Sequence, residues 1–150
     1  MNITDELATL DGHDQLAALM EANRHPPIGE TLEFYLVELE RGRVVFEGTP
    51  TRRVLNPIGS VHGGYAATLL DSACGIATHS ALAAGQGYTT LELKVSYVHG
   101  LTDRSGEVRA VGRLVSIGRR VAFAEATLHD GEGRLCASAT STLLVFALPD

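Results

Sequence analysis

The amino-acid sequence predicts an α+β fold: an antiparallel sheet of about five to six strands wrapped around one long central helix, with a short N-terminal helix ahead of it. Three observations predict this. Residues 63–91 contain no Lys, Arg or Glu and open with an apolar run suited to a buried helix. Strand-like runs lie on both sides of that helix, two before it and four after it. The later runs are joined by short turns, as antiparallel neighbours are.

Residues 1–29 read as a helical lead-in and residues 30–150 as the main domain. In the lead-in, Asp14 can cap the run 16–20, and Pro26-Pro27 stop it. From Leu32 the pattern turns strand-like, and the runs 32–37 and 44–46 flank Arg41-Gly42, a hairpin signature. The turn-rich stretch Asn56-Pro57-Ile58-Gly59-Ser60 then leads to the helix, centred on 65–78. A membrane span wants about twenty strongly apolar residues. Here Ala, Ser, Thr and Gly dilute the run and Asp71 interrupts it, so the helix belongs in a protein core. Residues 90–97 alternate polar and apolar with period two and contain neither Pro nor Gly. Such a strand suits a sheet edge that pairs with a second copy of the chain. Runs 107–117, 121–129 and 135–146 complete the sheet, with a turn at Asp130-Gly131-Glu132-Gly133.

Twelve Lys+Arg against eighteen Asp+Glu give a formal net charge of −6. Nucleic-acid and anionic-membrane binders rest on basic surface, so both classes are excluded, and any anionic ligand needs a local cationic cluster. Two cysteines, Cys74 and Cys136, are too few for a disulfide framework and read as core residues. The start of the chain is acidic with no apolar leader, so a cytoplasmic compartment is expected. The six histidines show no metal-ligand spacing, and neither a metal nor a separate cofactor is expected.

Chemistry concentrates where the turn-rich stretch meets the helix. Gly63 and Gly64 are poor helix formers, but they let a ligand approach backbone N–H groups at the positive end of the helix dipole. They are candidate donors to a carbonyl oxygen that becomes negative during reaction; a tight junction needing small residues is the alternative. Asp71 is a carboxylate in an apolar helix with no base at i±3 or i±4, where Ala67, Thr68, Cys74 and Gly75 stand. It must pair with a distant cation, face a wet seam or belong to a site. Gly63 and Asp71 are eight residues apart, about 12 Å along one helix axis. A reacting carbonyl must lie about 3 Å from its donors and close to its nucleophile. Either the two serve different purposes, or Asp71 reaches a carbonyl held by Gly63 of a neighbouring chain.

The series Asn56-Pro57-x-Gly59-x-Val61-His62-Gly63-Gly64, with Asp71 seven residues later, resembles the hotdog-fold acyl-CoA thioesterases of the phenylacetic-acid-pathway (4-hydroxybenzoyl-CoA thioesterase-like) type. The likeness continues in Gly118-Arg119-Arg120-Val121-Ala122-Phe123-Ala124-Glu125-Ala126 and Gly133-Arg134-Leu135, and spans about residues 30–147. The resemblance implies that the Gly63 N–H polarises the thioester carbonyl and that Asp71, from the other subunit, attacks it or activates water. It implies that Asn56 positions the water or the acid, that His62 orients loop and thioester, and that Thr90 aids the water. CoA is implied to lie over Gly64, Tyr97, His99 and Gly100 and the turn Ser116–Gly118–Arg119–Arg120. Homodimers pairing the strand after the helix, assembling further into tetramers, are implied as well. Where relatives often carry Pro after the aromatic strand, this chain has His99-Gly100.

A thioester suits so sparse a site. Its leaving thiol has a pKa near ~8.5, so the thiolate departs without a strong acid. One polarised carbonyl and one carboxylate then suffice, and the chain has no G-x-S-x-G elbow. Arg119 and Arg120 are candidate phosphate ligands for CoA, or a solvated hairpin pair. Two alternatives stand beside hydrolysis: a hotdog hydroxyacyl-thioester dehydratase with His62 as base, and a non-catalytic acyl-CoA-binding protein.

Overall fold

The computed structural model describes residues 5–149. Three short helices open it: α1 (Asp5–Ala8), α2 (Gly12–Glu21) and α3 (Pro27–Leu32). Asp11, not Asp14, caps α2: its side chain accepts the Asp14 N–H, and Asp14 itself lies inside the first turn. Pro26-Pro27 do not stop this helix, which has already ended at Glu21. They open α3, with Pro27 at the first helical position, where a missing N–H costs nothing. Leu32 therefore closes α3 rather than starting a strand, and Glu33 turns the chain with φ of 57°.

The hairpin is β1 (Phe34–Glu40) and β2 (Arg43–Gly48), turned by Arg41-Gly42 with Gly42 at φ +76°. One 3-10 turn, Arg52–Val54, precedes the long helix α4 (Gly63–His79). Then come β3 (Gln86–Tyr97), β4 (Val108–Ile117), β5 (Val121–His129) and β6 (Leu135–Ala147). The six strands form one sheet in the order β1-β2-β4-β5-β6-β3, with every neighbouring pair antiparallel. Thus β3 is an edge strand, as its pattern predicts.

α4 packs on one face of this sheet and touches β2 through β6. The strands meet it with small residues, Ala110, Gly112, Ala122, Ala124, Ala126 and Ala139, and the helix answers with Leu69 and Leu70, both fully buried. Approach is closest at Gly112, where an added Cβ would overlap the Ala73 carbonyl and lie 3.0 Å from its Cα. Alternating small and large residues in this way sets the helix-to-sheet distance at backbone contact. α2 closes over the C-terminal part of α4: the Gly12 N–H donates to Leu82 O at 2.9 Å, and buried His79 bonds Gln15 through Nε2 and Oε1 at 2.8 Å.

Two departures from the simple patterns place the site. The expected clean alternation of 90–97 is broken by a bulge between Thr90 and Glu92, with Leu91 the extra, exposed residue. Strict period two would set Thr90 opposite Leu93, Val95 and Tyr97. The bulge instead brings Thr90 onto their side, against α4. Nor is α4 covered all round. Gly64 is exposed, and Ala67, Thr68, Asp71 and Ser72 are half-buried, an i, i+4 stripe along one side of the helix.

Candidate active site

The loop before α4 is organised by Asn56. Its Oδ1 accepts the Ile58 and Ser60 N–H groups, each at 3.1 Å, and its Nδ2 donates to Ser60 Oγ at 2.8 Å. The loop thus uses its Oδ1 and one Nδ2 hydrogen, and among the described residues no hydrogen bond joins it to Asp71 of its own chain. His62 is the N-cap of α4, and its Nδ1 accepts the Gly64 N–H at 2.8 Å. That bond removes Gly64 as an oxyanion donor. Gly63, the first helical residue, keeps an N–H with no hydrogen-bond partner among the described residues. The Tyr97 hydroxyl donates to the Gly63 carbonyl at 2.6 Å, pinning the end of β3 to the start of α4. A cavity of about 170 Å³ opens there, walled by Gly63, Tyr97, His99, Gly100, Leu101 and Cys136.

Asp71 lies two turns further along α4, half-buried, and its Oδ1 accepts the Thr90 hydroxyl at 2.9 Å. No Lys or Arg pairs with it among the described residues. Tyr88, on the same side of β3 as Thr90, sets its phenol over Gly75, where an added Cβ would be 2.7 Å from Oη. Burial pushes the Tyr88 phenol up to about 12, with the Asp71 charge adding to the effect. Cys74 is likewise raised to about 12, by burial first and then by the Asp71 and Glu125 charges. Both stay protonated at neutral pH, so neither serves as a nucleophile or base. Tyr88 was not singled out in the sequence; its signals were its place two residues before Thr90 and the glycine one turn after Asp71.

Ser116, Gly118, Arg119 and Arg120 sit on the exposed β4–β5 hairpin, closed by Gly118 N–H to Val121 O at 2.8 Å. Neither arginine has an ion-pair partner among the described residues. The hairpin lies beside Leu144 and Thr89, whereas Tyr97 is at the opposite end of β3, about 25 Å away at ~3.3 Å per residue. A single chain therefore brings together Asp71 with Thr90, and Gly63 with His62, Tyr97 and His99. It does not unite these two groups, nor Tyr97 with the arginine hairpin. Among the described residues no group of three or more His, Cys, Asp or Glu is placed to hold a metal ion, and no helix is long and apolar enough to cross a membrane.

An antiparallel edge-stranded sheet around one helix, with a glycine amide at the helix start and a carboxylate in its middle, defines the hotdog class. The sequence profile of the thioesterase superfamily matches residues 58–137, and the chain belongs to that family. A 1,4-dihydroxy-2-naphthoyl-CoA hydrolase of Listeria monocytogenes is 25% identical over 116 residues, covering 77% of this chain and 93% of that one. A Halobacterium salinarum protein provisionally named an esterase is 42% identical over 69 residues, and the match spans 45% of this chain but only 44% of that protein's length. Among solved structures, a Streptococcus mutans protein bound to acetyl-CoA superposes with a TM-score of 0.70 at 28% identity, covering 78% of this chain and 91% of that one.

Proposed function

We propose that this protein hydrolyses acyl-CoA thioesters to the free acid and CoA, at sites built by two copies of the chain. The observation that carries the reading is the division of the machinery. A free helix-start amide and a hydroxyl-anchored carboxylate lie on one helix, too far apart to serve one carbonyl. Pairing β3 antiparallel with β3 of a second copy would run the Tyr97 end of one chain alongside the Tyr88 end of the other. That arrangement puts Gly63 of the partner near Asp71, and the Arg119-Arg120 hairpin near the partner's cavity at Tyr97 and His99. The half-buried stripe of α4 and the unpaired outer edge of β3 support it.

In the reaction the Gly63 N–H, at the positive end of α4, stabilises the oxyanion as the carbonyl is attacked. Asp71, held in one orientation by Thr90, either removes a proton from the attacking water or adds to the carbonyl itself. In both routes the C–S bond breaks with its electron pair on sulfur and CoA leaves as thiolate; in the second, water then hydrolyses the acyl anhydride formed on Asp71, releasing the acid and restoring the carboxylate. Homology to a naphthoyl-CoA hydrolase and to an acetyl-CoA-bound structure supports a CoA ester as substrate. His62, the base that a dehydratase would need, has Nδ1 committed to the Gly64 N–H, which favours hydrolysis.

The test is Asp71→Asn, assayed by release of free thiol. Loss of a positioned base lowers turnover by about 10²-fold or more while acyl-CoA binding persists. Near-normal turnover would remove Asp71 from the mechanism. Gain or loss of enoyl absorbance without thiol release would identify a dehydratase, and binding without turnover by the unaltered protein would identify a binding module.

A further inference from the structure

We propose that the acyl group enters an apolar cavity roofed by α2, with Tyr88 as the wall between that cavity and Asp71, so that the substrates are CoA esters of medium-sized uncharged acyl groups. This deepens the reading above and rests on it. The cavity measures about 320 Å³ and is lined by Leu16 and Leu19 of α2, Ile76 of α4, Tyr88 of β3, and Phe146 and Leu148.

Tyr88 relates it to the carboxylate, since it lines the cavity and stands two residues before Thr90, the partner of Asp71. Ile76 is five residues beyond Asp71 on α4, about 7 Å along the axis and on the side away from Gly63. Tyr88 stands on the same side of β3 as Thr90, its hydroxyl against Gly75. A thioester whose carbonyl sits at Asp71 therefore has its acyl chain directed past Tyr88 and under α2. A second, smaller void of about 40 Å³ shares Leu16, Leu19 and Ile76 and reaches Phe34 and Phe46.

The roof is fixed. Gln15 bonds His79 across the helix crossing, and its Nε2 donates to Leu7 O at 3.1 Å and Leu10 O at 3.0 Å. Gly12 meets the His79 carbonyl so closely that no side chain fits between α2 and α4. A held roof sets a length limit. At about 30 Å³ for each water-sized atom the cavity holds about ten heavy atoms. Acetyl leaves it empty and a sixteen-carbon chain overruns it. No Lys or Arg lines it, so the charge of a carboxylated acyl group has no counter-ion there.

The experiment is a kcat/KM profile over straight-chain CoA esters of two to sixteen carbons, plus phenylacetyl-CoA. Each buried methylene adds about fourfold, so the profile rises to about eight to ten carbons and then falls, with phenylacetyl-CoA on the high side. Leu19→Trp fills the cavity and lowers the octanoyl-to-butyryl ratio at least tenfold. Leu16→Ala enlarges it and moves the maximum to longer chains. A profile that is flat, or that still climbs at sixteen carbons, overturns the proposal whether or not the variants fold, and so does a maximum that neither folded variant moves. If the unaltered protein hydrolysed none of these esters, the thioesterase reading would fail. The cavity would then be read by calorimetry on Asp71→Asn: octanoyl-CoA binding no tighter than acetyl-CoA rejects it, and tighter binding lost in Asp71→Asn/Leu19→Trp supports it.

Discussion

Gly112→Ala tests how closely the helix is seated. The new methyl would overlap the carbonyl carbon and oxygen of Ala73 and come within 3.0 Å of its Cα. These are helix backbone atoms and have no rotamer to change, so α4 must withdraw from β4 by roughly an ångström. Leu69, Leu70, Cys74 and Ala77, all fully buried around that point, lose part of their contact with the sheet. Overpacking of this kind costs about 3 kcal/mol, the upper end of the usual range. The better strand propensity of Ala returns less than about 1 kcal/mol. For a chain of this size each kcal/mol is worth ~2–4 °C, so Tm should drop by about 4–12 °C. Asp71 rides on the displaced helix, and a 1 Å misplacement costs about 10²-fold in turnover. Thermal melts followed by circular dichroism check the first figure and thiol release the second. Gly100→Ala is the control for the melts alone, since a Cβ there meets nothing within 4 Å but the residue lines the cavity beside Gly63. A Gly112→Ala protein melting within about a degree of the parent would refute the backbone-contact account of the helix seat.

Thr90→Val removes the hydroxyl that donates to Asp71 while keeping strand propensity. Hydrogen bonds to charged groups are worth ~1.5–3 kcal/mol, so kcat/KM should fall about tenfold or more. Thr90→Ser should restore most of it, whereas equal loss in both variants would mean that Thr90 acts only through packing. Burial holds the His79 imidazole below its ordinary 6.5. Below about pH 6.5 the unfolded chain then takes up a proton that the folded chain refuses, and stability falls as the pH drops. Above that pH His79 contributes no slope. Urea midpoints between pH 8 and 5 should show the loss, and His79→Gln should flatten it; an unchanged slope would refute it. Asp130, held below its ordinary 3.8 by the Arg134 N–H and side chain, adds a separate loss that opens only as the pH falls toward that value.

Much of the fold was legible because burial and period dictate it. The run after Gly63, in which Asp71 is the one Asp, Glu, Lys or Arg, reads as a core helix, and the short turns after β4 join antiparallel neighbours. The edge role of β3 followed from the run 90–97, which has neither Pro nor Gly. What the sequence hid were local choices between similar residues. Asp11 and Asp14 are equally good caps on paper, and the backbone entering α2 decides for Asp11. The bulge at Leu91 has no distinctive residue type, yet it turns Thr90 toward Asp71. Tyr88 looked like core, and only its place over Gly75 relates it to the carboxylate. Gly63 and Gly64 were indistinguishable until the His62 side chain was seen to occupy one of their two amides. The separation on which the proposed two-chain site rests was legible from helix arithmetic alone, because eight residues of helix separate Gly63 from Asp71 whatever surrounds them.

The most direct test of a shared site mixes two defective chains. Asp71→Asn keeps the Gly63 amide. Gly63→Pro removes that amide at the first helical position, which accepts proline, and its Cβ meets the Tyr97 ring, whose hydroxyl bond to the Gly63 carbonyl must yield a few tenths of an ångström. Each variant alone should be nearly inactive. After co-refolding in equal amounts, half the dimers are mixed and each carries one intact site, so about a quarter of normal thiol release should return. Activity no greater than that of the two inactive parents, in a sample proven to contain mixed dimers, would contradict a catalytic site divided between chains.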